Sequence, residues 1–277
     1  MKRLFAFGCS FTRYWWPTWV LAIDENFDET QNWALPGGSN PFIATSVTEA
    51  NQRHKFTKDD TVIIMWTSVA RDAFYNDIWF LVGNVYDPNP PFNIPQDDRW
   101  SLRGYTMRDL AAVSSTRALL ENIGCNFIFT SMIGFDEDPS NVPINVPLAR
   151  HFNSDSEKFR IEDTDDIMDL YKDDLSIFRR STYDVIYDQD FLSKPLPNGN
   201  SRHDLHPRPD EAGKFAEIVL PEFPISSAKW DILHDATASI DEFYAQQDIG
   251  ERMRGTDENP TILQRYLELL RTGPERF

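Results

Sequence analysis

Three short apolar runs constrain this chain more than any other feature: RLFAF at Arg3–Phe7, TVIIMW at Thr61–Trp66 and CNFIFT at Cys125–Thr130. Each is too short to make a helix. Each is apolar with little alternation, which is the pattern of a strand covered on both faces. A weaker fourth run lies at Thr30–Ala34. Between them, helical patterns occupy Thr18–Asn26, Pro41–Lys55 and Arg108–Gly124. The last spaces Leu110, Val113, Arg117 and Leu120 three or four apart and stops at Gly124, as a helix C-terminus should. Strands alternating with helices predict an α/β protein whose parallel sheet, of about five strands, is covered on both faces.

Two stretches interrupt that rhythm. Residues 76–107 hold the proline-rich DPNPPFNIP and several aromatics, and residues 135–202 are acidic and weakly periodic. Both read as insertions over one end of the sheet, within an α/β domain spanning residues 1–224. After Pro224 helical patterns return at Ala228–Gln247 and Pro260–Thr272, which predicts a helical C-terminal appendage over residues 225–277. There is no internal repeat. A chain of 277 residues can bury a full core.

Charge excludes some partners. With 44 acidic residues against 27 basic ones the net charge is −17, so no basic face is expected for nucleic acid or for an anionic membrane surface. No run approaches the length of a membrane span, and the apolar run after Lys2-Arg3 is too short for a signal peptide. The expectation is a protein made in a cytoplasm. Cys9 and Cys125 make no disulfide framework and read as buried thiols.

The first run leads straight into Gly8-Cys9-Ser10. A serine there is either part of an ordinary turn or a nucleophile at the lip of the sheet. A nucleophilic serine needs a general base, usually histidine, and an orienting group behind it. Of five histidines, His54 reads as a solvated helix end, and His151 and His234 have no motif around them. His203 and His206 stand in RHDLHPRPDEAGKFAEIV, a loop running into an amphipathic helix. Such loops lie at the carboxyl edge of a parallel sheet, where these folds place their sites. Ser10 lies at that same edge. His203, Asp204 and His206 could alternatively ligate a metal, but the sequence offers no further ligand set, and neither a metal nor a cofactor is expected.

GCSFT after the first strand, LPGGSN in the second loop and DLHPRPDEAGKFA near the end together resemble the sequence blocks of the SGNH, or GDSL-type, hydrolases. The resemblance covers roughly residues 1–135 and 200–222. It implies a flavodoxin-like three-layer α/β/α sandwich and a serine esterase. Ser10 matches the nucleophile, His206 the base and Asp204 the acid. The commoner Asp-x-x-His spacing would put His203 in the acid's place; here the spacing is Asp-x-His, as in some divergent members. Ser10 and Gly37 match backbone donors of the oxyanion hole, with Gly38 the adjacent alternative. The third block departs from the family: Ser68 stands where an asparagine amide usually donates, within Trp66-Thr67-Ser68-Val69.

Two further groups have open readings. Arg71 could bind a substrate carboxylate or pair with one of the chain's many acids. Trp79, Trp100 and the aromatics around them could stack on sugar rings or pack within loops. Two functions follow from the resemblance. One is an esterase removing an acyl group, acetyl in the simplest case, from a carbohydrate or other small ester. The other is a structural or glycan-binding protein with little turnover on an inherited hydrolase fold. Short divergent chains of this kind occur in tailed bacteriophages, which implies a virion or homo-oligomer partner as a further expectation.

Overall fold

The computed structural model describes residues 1–69, 71–76, 78–84, 102–135, 164–186 and 206–246. Among these residues four strands form one parallel sheet: β1 (Arg3–Phe7), β2 (Glu29–Asn32), β3 (Thr61–Trp66) and β6 (Asn126–Ser131), in the order β2-β1-β3-β6. Phe7 stands opposite Ile64, and Ile64 opposite Phe129, so the carboxyl ends of β1, β3 and β6 form one edge. About five strands were expected. In the fifth place, beside β6, a segment near Phe178 makes a single parallel bridge to Phe129. Thr130 Oγ1 donates to the Arg180 carbonyl at 2.7 Å, and Tyr183 N to the Met132 carbonyl at 3.1 Å. The segment turns into a helix at Thr182 before a ladder can form.

The strands alternate between two cores, as period-two geometry requires. Leu4, Ala6, Ile63, Met65 and Ile128 face one side. There they meet α1 (Trp19–Ile23), α7 (Pro209–Val219) and α8 (Ser227–Gln246), through Trp19, Phe215 and Leu233 among others. Phe5, Phe7, Val62, Ile64, Trp66 and Phe129 face the other side. That face is covered by α2 (Asn40–His54) and α3 (Leu102–Ile123), through Phe42, Val47, Val113 and Leu120. Helices on both faces of a parallel sheet give three layers. Every residue of β3 is buried, which is why its sequence shows no alternation.

The first helical pattern ends in a 3₁₀ turn, Asp24–Asn26. The third begins earlier than its apolar spacing indicates, at Leu102 rather than Arg108. Its first turns, LRGYTM, carry a glycine and no apolar repeat, and Arg103 is held by Asp166 of α4 (Asp165–Leu170). Two more short helices follow, α5 (Lys172–Leu175) and α6 (Thr182–Ile186). The region read as a loop insertion from residue 76 onward contains part of an antiparallel hairpin, β4 (Arg71–Asn76) with β5 (Ile78–Asn84). The proline cluster that suggested a loop begins only after β5, and residues 85–101 lie outside the described residues. The same is true of 136–163, 187–205 and the expected helix Pro260–Thr272. The C-terminal helix α8 packs closely on α7: a Cβ on Gly213 would lie 2.8 Å from both Leu233 and Trp230 side-chain atoms.

Among the described residues no helix is long and apolar enough to cross a membrane.

Candidate active site

The order β2-β1-β3 places one neighbour on each side of β1, and the chain leaves its carboxyl end at the point where the sheet reverses direction. A crevice opens at such a switch point. Ser10 sits there, 5% exposed. Gly8 lets the chain make the exit: a Cβ at that position would lie 2.1 Å from Thr12 Oγ1 and 3.0 Å from the Met65 carbonyl oxygen. The next residues close one helical turn, with Thr12 N and Arg13 N both donating to the Cys9 carbonyl at 3.0 and 3.1 Å. The Thr12 carbonyl accepts from Thr18 Oγ1 at 2.7 Å and from Asn32 Nδ2 at 2.9 Å. The serine therefore stands on a turn that is bonded on both sides.

His206 meets it from the far end of the chain. His206 Nε2 lies 2.8 Å from Ser10 Oγ, a hydrogen-bond distance with the serine hydroxyl as donor when that nitrogen is unprotonated. Trp16 Nε1 donates to the Pro207 carbonyl at 2.8 Å and pins the loop that carries the histidine. Directly beyond, α7 opens with Arg208 as its N-cap, whose N–H donates to Glu211 Oε2 at 2.8 Å. The imidazole is also held by rings. Tyr14 stacks on it almost in parallel, 3.8 Å between centroids at 17°, and Phe11 lies 5.2 Å away, tilted at 49°. Sequence reading missed Tyr14. The available signal was its nearness to Ser10, four residues along the chain.

The groups matched to an oxyanion hole lie on neighbouring loops. Gly37 adopts φ +81°, which a residue with a Cβ rarely takes. The Gly38 N–H is spent on the Leu35 carbonyl at 3.0 Å. The N–H groups of Ser10 and Gly37 and the Ser68 hydroxyl hold no partner among the described residues. Of the two glycines, Gly37 thus has the uncommitted donor.

The loop bearing Ser68 is fixed by a buried network absent from the sequence reading. Asn40, the first residue of α2, accepts from Thr67 N at 2.8 Å and donates to the Thr67 carbonyl and to Asp109 Oδ2, both at 2.9 Å. Asn40, Thr67 and Asp109 are fully buried. Burial pushes the Asp109 carboxyl up to about 7, despite the opposing pull of Arg108 and the hydrogen bond from Asn40. The last letter of LPGGSN was the available clue, since an asparagine at a helix start can bond outward to a neighbouring loop.

The remaining candidates separate. Asp204, His203 and Trp100 lie outside the described residues. Trp79 stands in β5 opposite Tyr75. Arg71 opens β4, with its Nη2 3.6 Å from Met132 Sδ. Cys9 is buried behind Ser10, and burial pushes the Cys125 thiol up to about 11. No group of three or more His, Cys, Asp or Glu side chains among the described residues could hold a metal ion.

No family model and no curated protein matches the chain. Solved structures with detectable similarity include a lipolytic G-D-S-L family member from Veillonella parvula DSM 2008, 10% identical with a TM-score of 0.39, covering 89% of this chain and 100% of that one. A psychrotrophic esterase from Pseudoalteromonas sp. is 12% identical with a TM-score of 0.36, over 88% of this chain and 99% of that one. A GDSL-like lipase from Bacteroides thetaiotaomicron VPI-5482 is 13% identical with a TM-score of 0.33, over 87% and 88%.

Proposed function

We propose that this chain is a serine esterase of the SGNH type that removes an acyl group, acetyl in the simplest case, from a carbohydrate or similar alcohol. The observation that carries this reading is the 2.8 Å contact between His206 Nε2 and Ser10 Oγ at the switch point of the sheet. A hydroxyl in that position can lose its proton to the imidazole as Oγ attacks an ester carbonyl. The tetrahedral oxyanion would face the Ser10 and Gly37 N–H groups and the Ser68 hydroxyl. His206 then gives the proton to the leaving alcohol as its C–O bond breaks, leaving an acyl-serine. Water, deprotonated by the same imidazole, adds to the acyl carbon and releases the acid and free Ser10. In this scheme Asp204 orients the imidazole, and the Tyr14 ring fixes its plane. Exposed Trp15, next to Tyr14, offers a flat apolar face suited to a sugar.

The test is covalent labelling by a fluorophosphonate, which requires an activated serine and no knowledge of the substrate. Wild type should label at Ser10, and Ser10→Ala should not label and should lose roughly 10⁴–10⁶-fold in esterase turnover. A second reading, a binding protein with little turnover, is favoured by one observation: Ser68 stands where an amide donor is usual. An unlabelled wild type, correctly folded, would decide for that reading.

A further inference from the structure

An arginine without a carboxylate is informative in a chain of net charge −17. Seven of the described arginines hold one, from Arg3 on Asp60 to Arg208 on Asp241. Arg13 and Arg71 hold none among the described residues. Both are partly buried. Burial lowers the Arg13 pKa. Arg71 rests its Nη2 on the Met132 thioether, a weak acceptor, and its buried Nε has no hydrogen-bond partner. Desolvating a guanidinium without pairing it is costly, so two such residues call for a reason.

Their position supplies one. Arg13 stands three residues after Ser10, at the end of the helical turn closed on the Cys9 carbonyl. Tyr14, the next residue, covers His206 with its ring. Arg71 opens β4, three residues after Ser68 in the chain that leaves β3, the strand beside β1. Its neighbour Met132 lies within 4.0 Å of Thr67 Oγ1 and belongs to the same core as Cys9 and Phe11. These two cations, without a carboxylate among the described residues, therefore follow the carboxyl ends of β1 and β3 by a few residues each.

We propose that Arg13 and Arg71 form an anion-binding subsite beside Ser10, and that the ester cleaved there carries a carboxylate close to its scissile bond. This rests on the esterase reading above. A guanidinium fork matches a carboxylate in shape and charge. A monoanion also meets less repulsion from the acidic surface than a phosphate dianion does. The carboxylate belongs either to the acyl part, as in a dicarboxylic half-ester, or to the alcohol, as in a uronic acid unit.

Two matched pairs distinguish these sources. On the acyl side, kcat/KM is compared for 4-nitrophenyl acetate and the 4-nitrophenyl half-ester of glutaric acid. On the alcohol side, O-acetylated galactose is compared with O-acetylated galacturonate. All are measured on the full chain at constant ionic strength. The charged member should be preferred by 10-fold or more in one pair, which identifies the source. Arg13→Gln and Arg71→Gln should each reduce that ratio about 10- to 100-fold, the range of a charge-assisted hydrogen bond. Arg→Lys at either position keeps the charge without the fork and should retain part of the preference. Fluorophosphonate labelling of Ser10, run on every variant, separates the two levels. Labelling with no charged preference in wild type, or with ratios unchanged in both Gln variants, overturns the subsite and leaves the esterase standing. Absence of labelling in wild type removes both.

Discussion

The fully buried Asp109 carboxyl, held between Asn40 and Arg108, should leave a measurable mark on stability. Its folded-state pKa of about 7 lies well above the ordinary 3.8, so between those values the folded chain binds a proton that the unfolded chain has released. The associated stabilisation is full below about pH 4 and is lost as pH rises through 7. The whole effect is about 4 kcal/mol, and the part falling between pH 5 and 8 is about 2–3 kcal/mol. Asp109→Asn removes the titration while keeping the shape: its amide oxygen can still accept from Asn40 Nδ2. Arg108 is partly exposed and keeps Asp72 at 3.1 Å. Urea denaturation of both proteins at pH 5, 6, 7 and 8 gives the comparison. His54, whose pKa burial pushes below 6.5, works in the opposite direction near the same window, so the measure is the difference between the two proteins. Wild type should lose about 2–3 kcal/mol relative to Asp109→Asn across that range. Parallel profiles would refute the claim that Asp109 is protonated in the folded state near neutrality.

Three further outcomes are expected. Tyr14→Ala should lower kcat about 3- to 10-fold, the worth of one ring stack, while Tyr14→Phe keeps the ring and most of the rate; equal losses would show that the hydroxyl, not the ring, matters. Ser68→Ala should cost roughly 10–10³-fold in kcat if its hydroxyl faces the oxyanion, and Ser68→Asn should raise turnover; unchanged kcat in Ser68→Ala would exclude that hydroxyl as a donor. Asn40→Ala leaves the buried Thr67 N–H and carbonyl without their amide partner and should cost about 2–4 kcal/mol of stability by chemical denaturation; a loss under 1 kcal/mol would mean the loop finds other partners.

What the sequence determined by itself is local or periodic. Arg3–Phe7 and Thr61–Trp66 were readable as strands because a strand buried on both faces must be apolar at consecutive positions. Placing Ser10 at a strand end and His206 before a helix needed only the residues around them, and the parallel sheet then put both on one edge. The sequence matched Gly37, with Gly38 as the alternative, through the resemblance alone; the backbone angle of +81° at Gly37 and the Leu35 carbonyl that takes the Gly38 N–H belong to the tertiary structure. Nor could it show Asn40 joined to Thr67 and Asp109, 27 and 69 positions away. Hydrogen bonds between distant side chains follow no spacing rule. The early start of α3 was hidden for a related reason, since Arg103 is held by a carboxylate on another helix and its own turn has no apolar repeat. The arginines belong with these: composition counts charges, but only the folded chain decides which of them meet, and among the described residues neither Arg13 nor Arg71 holds a carboxylate.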